Sequence, residues 1–406
     1  MTTTRPPRNP RKHDESEPEA PRQGNAAAIK VVQRAFGANN PNFYLLFGTT
    51  LFLVVFGLVM VLSSSSVEDG AAQGHDFFSS FARQGPYALI GVPLMLIASR
   101  MPARFWKRWA WPAVVVTVAL QLLVFVPGLG YSHLGNQAWI HIGTFTAQPS
   151  ELVKLALILW VSWIVAAKQN LLRDWKHVAL PVAPVAGVAI GLVLVGKDLG
   201  TAIILVAIVL GCLFYGGVRL RIIGTAVVII SVVGLGFVTA SSSRMVRINA
   251  WMGGCTSKDD FKNACWQTIH GWWGIASGGV FGSGLGESKV KWSWLPEADN
   301  DFIFAIIGEE LGLIGAVLVL ALFVVLAIAF VRIIRATPDP FERIVTSGVM
   351  IWVIGQAFVN IAVVLGFLPV LGVPLPLISA GGSSLIASLV GIGVVLSFSR
   401  RAPVRP

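Results

Sequence analysis

Ionisable side chains are scarce in this chain, and those set in apolar surroundings invite a chemical reading. Five carboxylates, Glu297, Asp299, Asp301, Glu309 and Glu310, fall within WSWLPEADNDFIFAIIGEELG at 292–312, at the mouth of an apolar run that continues to Phe330. A charged side chain at the centre of a membrane helix costs about 2.5–3.5 kcal/mol even on a lenient scale, so one kept there normally faces a cavity, a partner or a substrate. Such a carboxylate can act as a general base, cap a helix, or carry protons or ions. Asp301 is the sharpest candidate. Pro296 breaks any helix upstream of it, so Asp301 stands where the chain enters the apolar run, and on residue logic a catalytic, a capping and an ion-coupling role are all open to it. Glu309 and Glu310 are adjacent and so point about 100° apart on a helix. At most one of them faces a cavity, and the other caps or pairs locally.

Two further charged spots sit at the edges of apolar runs. Glu151 and Lys154, in QPSELVK, are three residues apart, share a helix face and can pair. Asp198, in GKDLGTA, follows Lys197. Each is either an ion pair that pins helices or the mark of a substrate or ion path. Of the three cysteines, Cys212 lies inside an apolar run and packs. Cys255 and Cys265 are spaced too widely for a C-x-x-C metal or redox signature, and no His/Cys group completes a zinc site.

The elements that must hold these groups are membrane helices. The chain has 406 residues, 55% hydrophobic and only 13% charged, with a mean hydropathy of +0.72, where an ordinary soluble domain is about a quarter charged. A helix crosses a bilayer with roughly 17–25 apolar residues. About ten such runs occur, at 43–62, 86–99, 109–127, 149–167, 178–195, 200–217, 222–240, 302–331, 344–367 and 377–398. The fold class is therefore all-α, a polytopic membrane protein.

Basic residues follow every even-numbered run: Arg100, Arg104, Lys107 and Arg108; Lys168, Arg173 and Lys176; Arg219 and Arg221; Arg332 and Arg335; Arg400, Arg401 and Arg405. Loops 63–80 and 128–148 hold no Lys or Arg at all, which by the positive-inside rule places both termini in the cytoplasm. The net charge of +11 is thus mostly a topology signal rather than a nucleic-acid footprint. Residues 1–42 read as a disordered, Pro-rich cytoplasmic tail that touches lipid headgroups or docks a partner, 43–400 as the membrane domain, and 401–406 as a short cytoplasmic tail.

One connection is outsized. Residues 241–300 form a long loop that this topology places outside the cytoplasm, where disulfides persist; a Cys255–Cys265 bridge is expected there, worth roughly 2.5–3 kcal/mol in the loop-entropy description. Its WWGIASGGVFGSGLGES segment suggests short interfacial elements, with glycines that either cradle phosphate through backbone N–H groups or let helices pack closely.

At this point the chain resembles a known family. QPSE at 148–151 with Lys154, DLGTA at 198–202, ASGGVFGSGLG at 276–286, LPEADNDFIFAIIGEELG at 295–312 and PVLGVPLPLISAGGSS at 369–384 occur in the order and on the helices of the SEDS family (shape, elongation, division and sporulation). The wording NDFIFAIIGEELG is more similar to the division branch, in its actinobacterial form, than to the elongation branch. The resemblance covers about 43–400. It implies an inverting peptidoglycan glycosyltransferase at the outer face of the cytoplasmic membrane, which polymerises lipid II with a class B penicillin-binding protein as partner, alongside other division proteins and membrane lipid.

Position by position, the resemblance makes Asp301 the essential acidic residue and places Glu151, Lys154 and Asp198 around a central cavity as substrate-binding groups. Ser379, Gly381 and Gly382 match the last motif. The expected chemistry also needs positive charge at a departing pyrophosphate. Candidates are Arg244, Arg247, Lys289 and Lys291, with Glu297 a further polar candidate beside them. A divalent cation, Mg or Mn, would suit phosphate oxygens; its ligands are not identified, and no organic cofactor is called for. In HLGNQAWIHIG the chain departs from the family, with Leu134 and Ala138 where an Asn-Gly-Ala pattern with a basic residue is usual. A lipid II flippase and a non-catalytic division scaffold are the alternatives.

Overall fold

Apolar runs in a bilayer become helices because backbone N–H and C=O groups there must satisfy one another. The computed structural model describes residues 40–65, 79–133, 135–142, 145–255, 265–289, 295 and 298–400. The candidates Lys291 and Glu297 lie outside the described residues, as do 1–39 and 401–406.

Seven helices precede the long connection: α1 (Pro41–Ser65), α2 (Ser79–Ala98), α3 (Ala103–Leu123), α4 (Pro149–Ala167), α5 (Trp175–Val195), α6 (Leu199–Tyr215) and α7 (Leu220–Thr239). The connection contains α8 (Ser242–Met252) and α9 (Trp266–Gly278). The chain then forms α10 (Ile303–Glu310), α11 (Gly312–Ala336), α12 (Pro340–Met350), α13 (Gln356–Val364) and α14 (Gly382–Ser399). Each of the ten expected runs falls mostly on helix, although 124–127 lies beyond the end of α3 and 377–381 is irregular chain ahead of α14. Among the described residues, seven helical segments are long and apolar enough to cross a membrane: α1, α4, α5, α7, α11, the continuous Pro340–Val364 unit and α14. Gln84–Ala98 of α2 and the whole of α6 are shorter apolar helices.

Two of the runs are not single uniform helices. The expected span 302–331 breaks into α10 and α11 at Gly312, whose φ of +66° is left-handed backbone that glycine adopts without penalty. The span 344–367 carries a π turn at Ile351–Gly355 between α12 and α13. Such a turn inserts an extra residue into the helix and re-aims its neighbours, and π turns often sit at functional sites.

The core runs along α4 and α14, each largely buried, and α14 packs against α2 and α4. Trp160 and Trp352 are fully buried, and Trp111 meets Trp160 edge-on at 5.3 Å. By contrast, none of α7 is buried. Chain segments that follow the basic exits are tied together at one end of the bundle. Asn40 donates from Nδ2 to the Ser399 carbonyl at 3.0 Å, Lys107 pairs with Asp339 at 3.0 Å, and Arg400 lies 5.5 Å from the Phe43 ring centre.

The connection after α3 forms a small antiparallel sheet, β1 (Gly130–His133), β2 (Asn136–Ile142) and β3 (Phe145–Ala147) in that order. Gly130 pairs with Ile140 and Ile140 with Ala147. The sheet is pinned to the α5–α6 corner, where the Gln137 N–H donates to the Gly196 carbonyl at 2.9 Å.

Candidate active site

Three of the sequence motifs meet at helix starts. Gln148 precedes α4, which begins at Pro149, a favoured first helical residue because its missing N–H has no intrahelical partner there. The Gln148 N–H donates to Ser383 Oγ at 3.1 Å, and its side-chain amide donates to Asp198 Oδ2 at 2.9 Å. Asp198 caps α6, with Oδ1 accepting the Thr201 N–H at 2.9 Å. Two residues on, a Cβ at Gly200 would sit 2.4 Å from the Leu371 carbonyl. Only glycine lets the first turn of α6 approach the 369–374 segment so closely.

Beneath this junction lies a buried ion pair. Glu151 and Lys154 are each 1% exposed, and Lys154 Nζ donates to Glu151 Oε1 at 2.7 Å. The ammonium also donates to Gln356 Oε1 at 3.0 Å and lies 5.6 Å from the Trp352 ring centre. Ser384 Oγ donates to Glu151 Oε2 at 3.2 Å. The π turn presents Trp352 and Gln356 together, since Trp352 Nε1 donates to Gln356 Oε1 at 3.1 Å. The pair joins α4, α13 and α14; it does not line the cavity.

The cavity itself, of about 840 Å³, opens above that pair. Lys197, Asp198, Arg244, Arg247 and Asp301 reach it from the α5–α6 corner, α8 and the approach to α10. Asn136 and Trp139 of the sheet contribute to its wall, and Leu194, Val195 and Phe237 give it an apolar side. Arg244 stacks on Phe237 at 4.3 Å and donates to its carbonyl at 3.3 Å, so its guanidinium is held against α7.

Asp301 is partly exposed and directly precedes Phe302, the cap residue of α10. Its backbone is held firmly. Asn360 Nδ2 donates to the Asp301 carbonyl at 2.8 Å and to the Val373 carbonyl at 2.7 Å. Ser379 Oγ donates to the Asn300 carbonyl at 2.6 Å while accepting the Leu375 N–H at 2.8 Å. The Ala380 N–H donates to the Asp299 carbonyl at 3.0 Å. Beside the carboxylate, Gly372 has φ +67°, and a Cβ there would lie 3.5 Å from Asp301 Oδ2.

The glycine-rich segment is a packing device. A Cβ at Gly278 would meet the Gly308 carbonyl at 2.1 Å, one at Gly282 the Glu310 carbonyl at 2.1 Å, and one at Gly312 the Gly282 nitrogen at 2.4 Å. Backbone thus lies directly on backbone, and no residue of 276–286 lines the cavity, so the phosphate-cradle expectation gives way to close packing. Glu309 accepts from Ser288 Oγ and, at 2.8 Å, from the Lys289 N–H, and Glu310 accepts from Ser63 Oγ. Both carboxylates secure the loop, and neither lines the cavity.

Of the candidates within the described residues, the cavity gathers Asp198, Arg244, Arg247 and Asp301. Glu151, Lys154 and Ser379 stand behind its wall as supports. Lys289 does not line it. Cys255 and Cys265 form a disulfide with Cα atoms 5.7 Å apart, and Gln267, two residues beyond Cys265, is a cavity residue. Gln356 and Asn360, which carry much of the support, are amides four apart in GQAFVNIAVV. Buried amides in an apolar run were the signal that could have identified them.

Among the described residues no three His, Cys, Asp or Glu side chains cluster to hold a metal, and the oxygens of Asp198 are engaged by Thr201 and Gln148.

The family described as Cell cycle protein, which takes in FtsW, RodA and SpoVE, matches residues 43–403. Over 389 residues the chain is 36% identical to a probable peptidoglycan glycosyltransferase FtsW of Mycobacterium tuberculosis, covering 95% of this chain and 73% of that one. It is 39% identical to a protein of the same description from a Geobacter species over 353 residues, 86% of this chain and 95% of the other. Stage V sporulation protein E of Bacillus subtilis is 35% identical over 355 residues, 86% of this chain and 95% of its own. Among solved structures, a chain of a peptidoglycan synthase complex that coordinates polymerization and crosslinking superposes with a TM-score of 0.71 at 26% identity, covering 89% of this chain and 98% of that one. The rod shape determining protein RodA of Thermus thermophilus superposes with a TM-score of 0.65 at 27% identity, covering 88% and 97%.

Proposed function

The chain belongs to the FtsW, RodA and SpoVE family of cell cycle proteins, and we propose that its cavity joins lipid II units with Asp301 as the general base. It is an integral protein of the cytoplasmic membrane and a peptidoglycan glycosyltransferase of the division type. In the reaction, the 4-hydroxyl of one lipid II sugar attacks the anomeric carbon of a lipid-linked glycan. The bond to undecaprenyl pyrophosphate breaks, its electron pair leaves with the phosphate, and the hydroxyl proton passes to the Asp301 carboxylate. One displacement inverts the anomeric centre.

The observation that carries this reading is that Asp301 and the Arg244–Arg247 pair line the same cavity. A carboxylate serves as general base only within hydrogen-bond reach of the hydroxyl it deprotonates. Fixed positive charge at the departing oxygen stabilises the developing anion without reorganisation, and Arg244 and Arg247, one helical turn apart on α8, suit a pyrophosphate. The apolar side formed by Leu194, Val195 and Phe237 suits a substrate whose tail stays in lipid while its sugars enter the cavity. No step is assigned to a metal ion. The disulfide supports an orientation with the cavity at the outer face, since such bonds persist outside the cytoplasm. A class B penicillin-binding protein is the partner that fits a polymerase whose product must be crosslinked, as in the synthase complex it resembles.

The test is polymer formation from purified lipid II by the full chain with its transpeptidase partner. Asp301→Asn should slow it by about 10²–10⁴-fold, with folding and partner binding retained in the same preparation. Polymerisation at the normal rate would overturn the assignment. Lipid II crossing liposomes without polymer would establish a flippase, and neither activity would leave a scaffold.

A further inference from the structure

Lys197 sits at the corner between α5 and α6 with φ +66°, in the left-handed region that glycine enters freely and a lysine seldom does. Strained positions of this kind persist where the surroundings over-determine them, and they gather at functional sites. Here the corner is fixed from both sides. The Gln137 N–H holds the Gly196 carbonyl at 2.9 Å, the Lys197 N–H reaches the Leu194 carbonyl at 2.9 Å, and the Asp198 N–H the Val193 carbonyl at 3.3 Å.

The side chain is exposed and lines the cavity. Its neighbour does not neutralise it, because the Asp198 carboxylate is turned to the Thr201 N–H and the Gln148 amide. Among the described residues the ion pairs are Lys107–Asp339, Glu151–Lys154 and Asp174–His177, and Lys197 is in none of them. Lys197 therefore lines the cavity without an ion-pair partner among the described residues, from an element separate from the helix that carries Arg244 and Arg247.

We propose that Lys197 is a binding residue for the pyrophosphate of a polyprenyl-linked substrate, a second cationic wall facing the same cavity as the α8 arginines. It rests on the reading of the cavity as the polymerase site. Polymerisation brings two pyrophosphate-bearing lipids together; one loses its pyrophosphate and the other keeps it. Two separate cationic elements suit that requirement better than one. An ammonium is a compact point charge with three donors, suited to phosphate oxygens.

The test measures binding of undecaprenyl pyrophosphate in detergent micelles to the full chain with its partner, with undecaprenol as the uncharged control. Lys197→Gly removes the charge and relieves the backbone, so this variant folds at least as well as wild type. Its expected signature is an unchanged or raised thermal midpoint together with about a tenfold loss of pyrophosphate affinity, while undecaprenol binding is unaltered. Lys197→Arg should hold affinity within about threefold, because it keeps the charge. If Lys197→Gly binds pyrophosphate as wild type does while Arg247→Gln does not, the proposal fails and the polymerase-site reading stands. If the wild-type protein does not prefer the pyrophosphate to undecaprenol, both fail.

Discussion

The buried Glu151–Lys154 pair lends itself to a quantitative test of whether it supports the site or takes part in its chemistry. Replacing Lys154 with Met removes the 2.7 Å bond to Glu151, the 3.0 Å bond to Gln356 and the ring contact with Trp352. Glu151 is then left buried with Ser384, at 3.2 Å, as its hydrogen-bond donor. Removing one member of a buried pair strands the other, and the usual cost is about 3–5 kcal/mol. In Glu151→Gln/Lys154→Met no charge remains, and Gln keeps an acceptor for Ser384, so the double variant should return to within about 1 kcal/mol of wild type. With Glu151→Gln alone stranding the Lys154 ammonium at a like cost, the coupling energy across the cycle is about 5 kcal/mol or more. Reversible unfolding of the full chain in mixed SDS micelles measures all four corners. Additive single effects, or a Lys154→Met penalty below about 1 kcal/mol, would refute the claim that the pair is a desolvated unit. Polymerase activity adds a second reading. A double variant that is stable and active confirms a supporting role, whereas one that is stable and inactive shows that the charges themselves are needed.

Two further outcomes follow from the same geometry. Asn360→Ala frees the Asp301 carbonyl and the Val373 carbonyl from their shared donor; polymerisation kcat should fall by about 10²-fold with KM little changed, the size expected for a misplacement of about 1 Å, and an unchanged kcat, or a loss that falls on KM alone, would argue against it. At the opposite end of the bundle, burial works to raise the Asp339 carboxyl, but the Lys107 ammonium and the Phe341 and Glu342 N–H groups prevail and hold it below the usual range. A carboxyl lowered in the folded state contributes stability that is present above its unfolded value, about 3.9, and is lost as pH falls through the folded value. The thermal-midpoint difference between wild type and Asp339→Asn should therefore be constant above about pH 4 and shrink below it; a difference that does not change with pH would contradict this.

The helices were legible because a membrane leaves an apolar run few alternatives, and most of each expected span fell on helix, with 377–381 as irregular chain. The break at Gly312 was not, since the apolar pattern passes through it without interruption and only the backbone angle reveals the turn. The glycines of 276–286 read equally as an anion cradle or a packing surface, because both need the absent Cβ. The choice depended on which backbone lay opposite, and that information is tertiary. Asp301 stood out as a carboxylate at the edge of an apolar run. Asn360 and Gln356 did not, because attention to formal charge passes over amides whose role is to hold carbonyl groups in place. Lys197 was visible as a residue, but its positive φ and its place in the cavity were not.

The contact between the glycine-rich segment and the α10–α11 break has a mechanical corollary. Three places where main chain rests on main chain leave no side chain between them to yield, so a methyl group added at any of them would have to part the segment, whose tip at Phe281 is 83% exposed, from α10 and α11. Asp301 leads directly into α10. Bulk introduced at these glycines would thus be felt first at the end of the helix that Asp301 leads into.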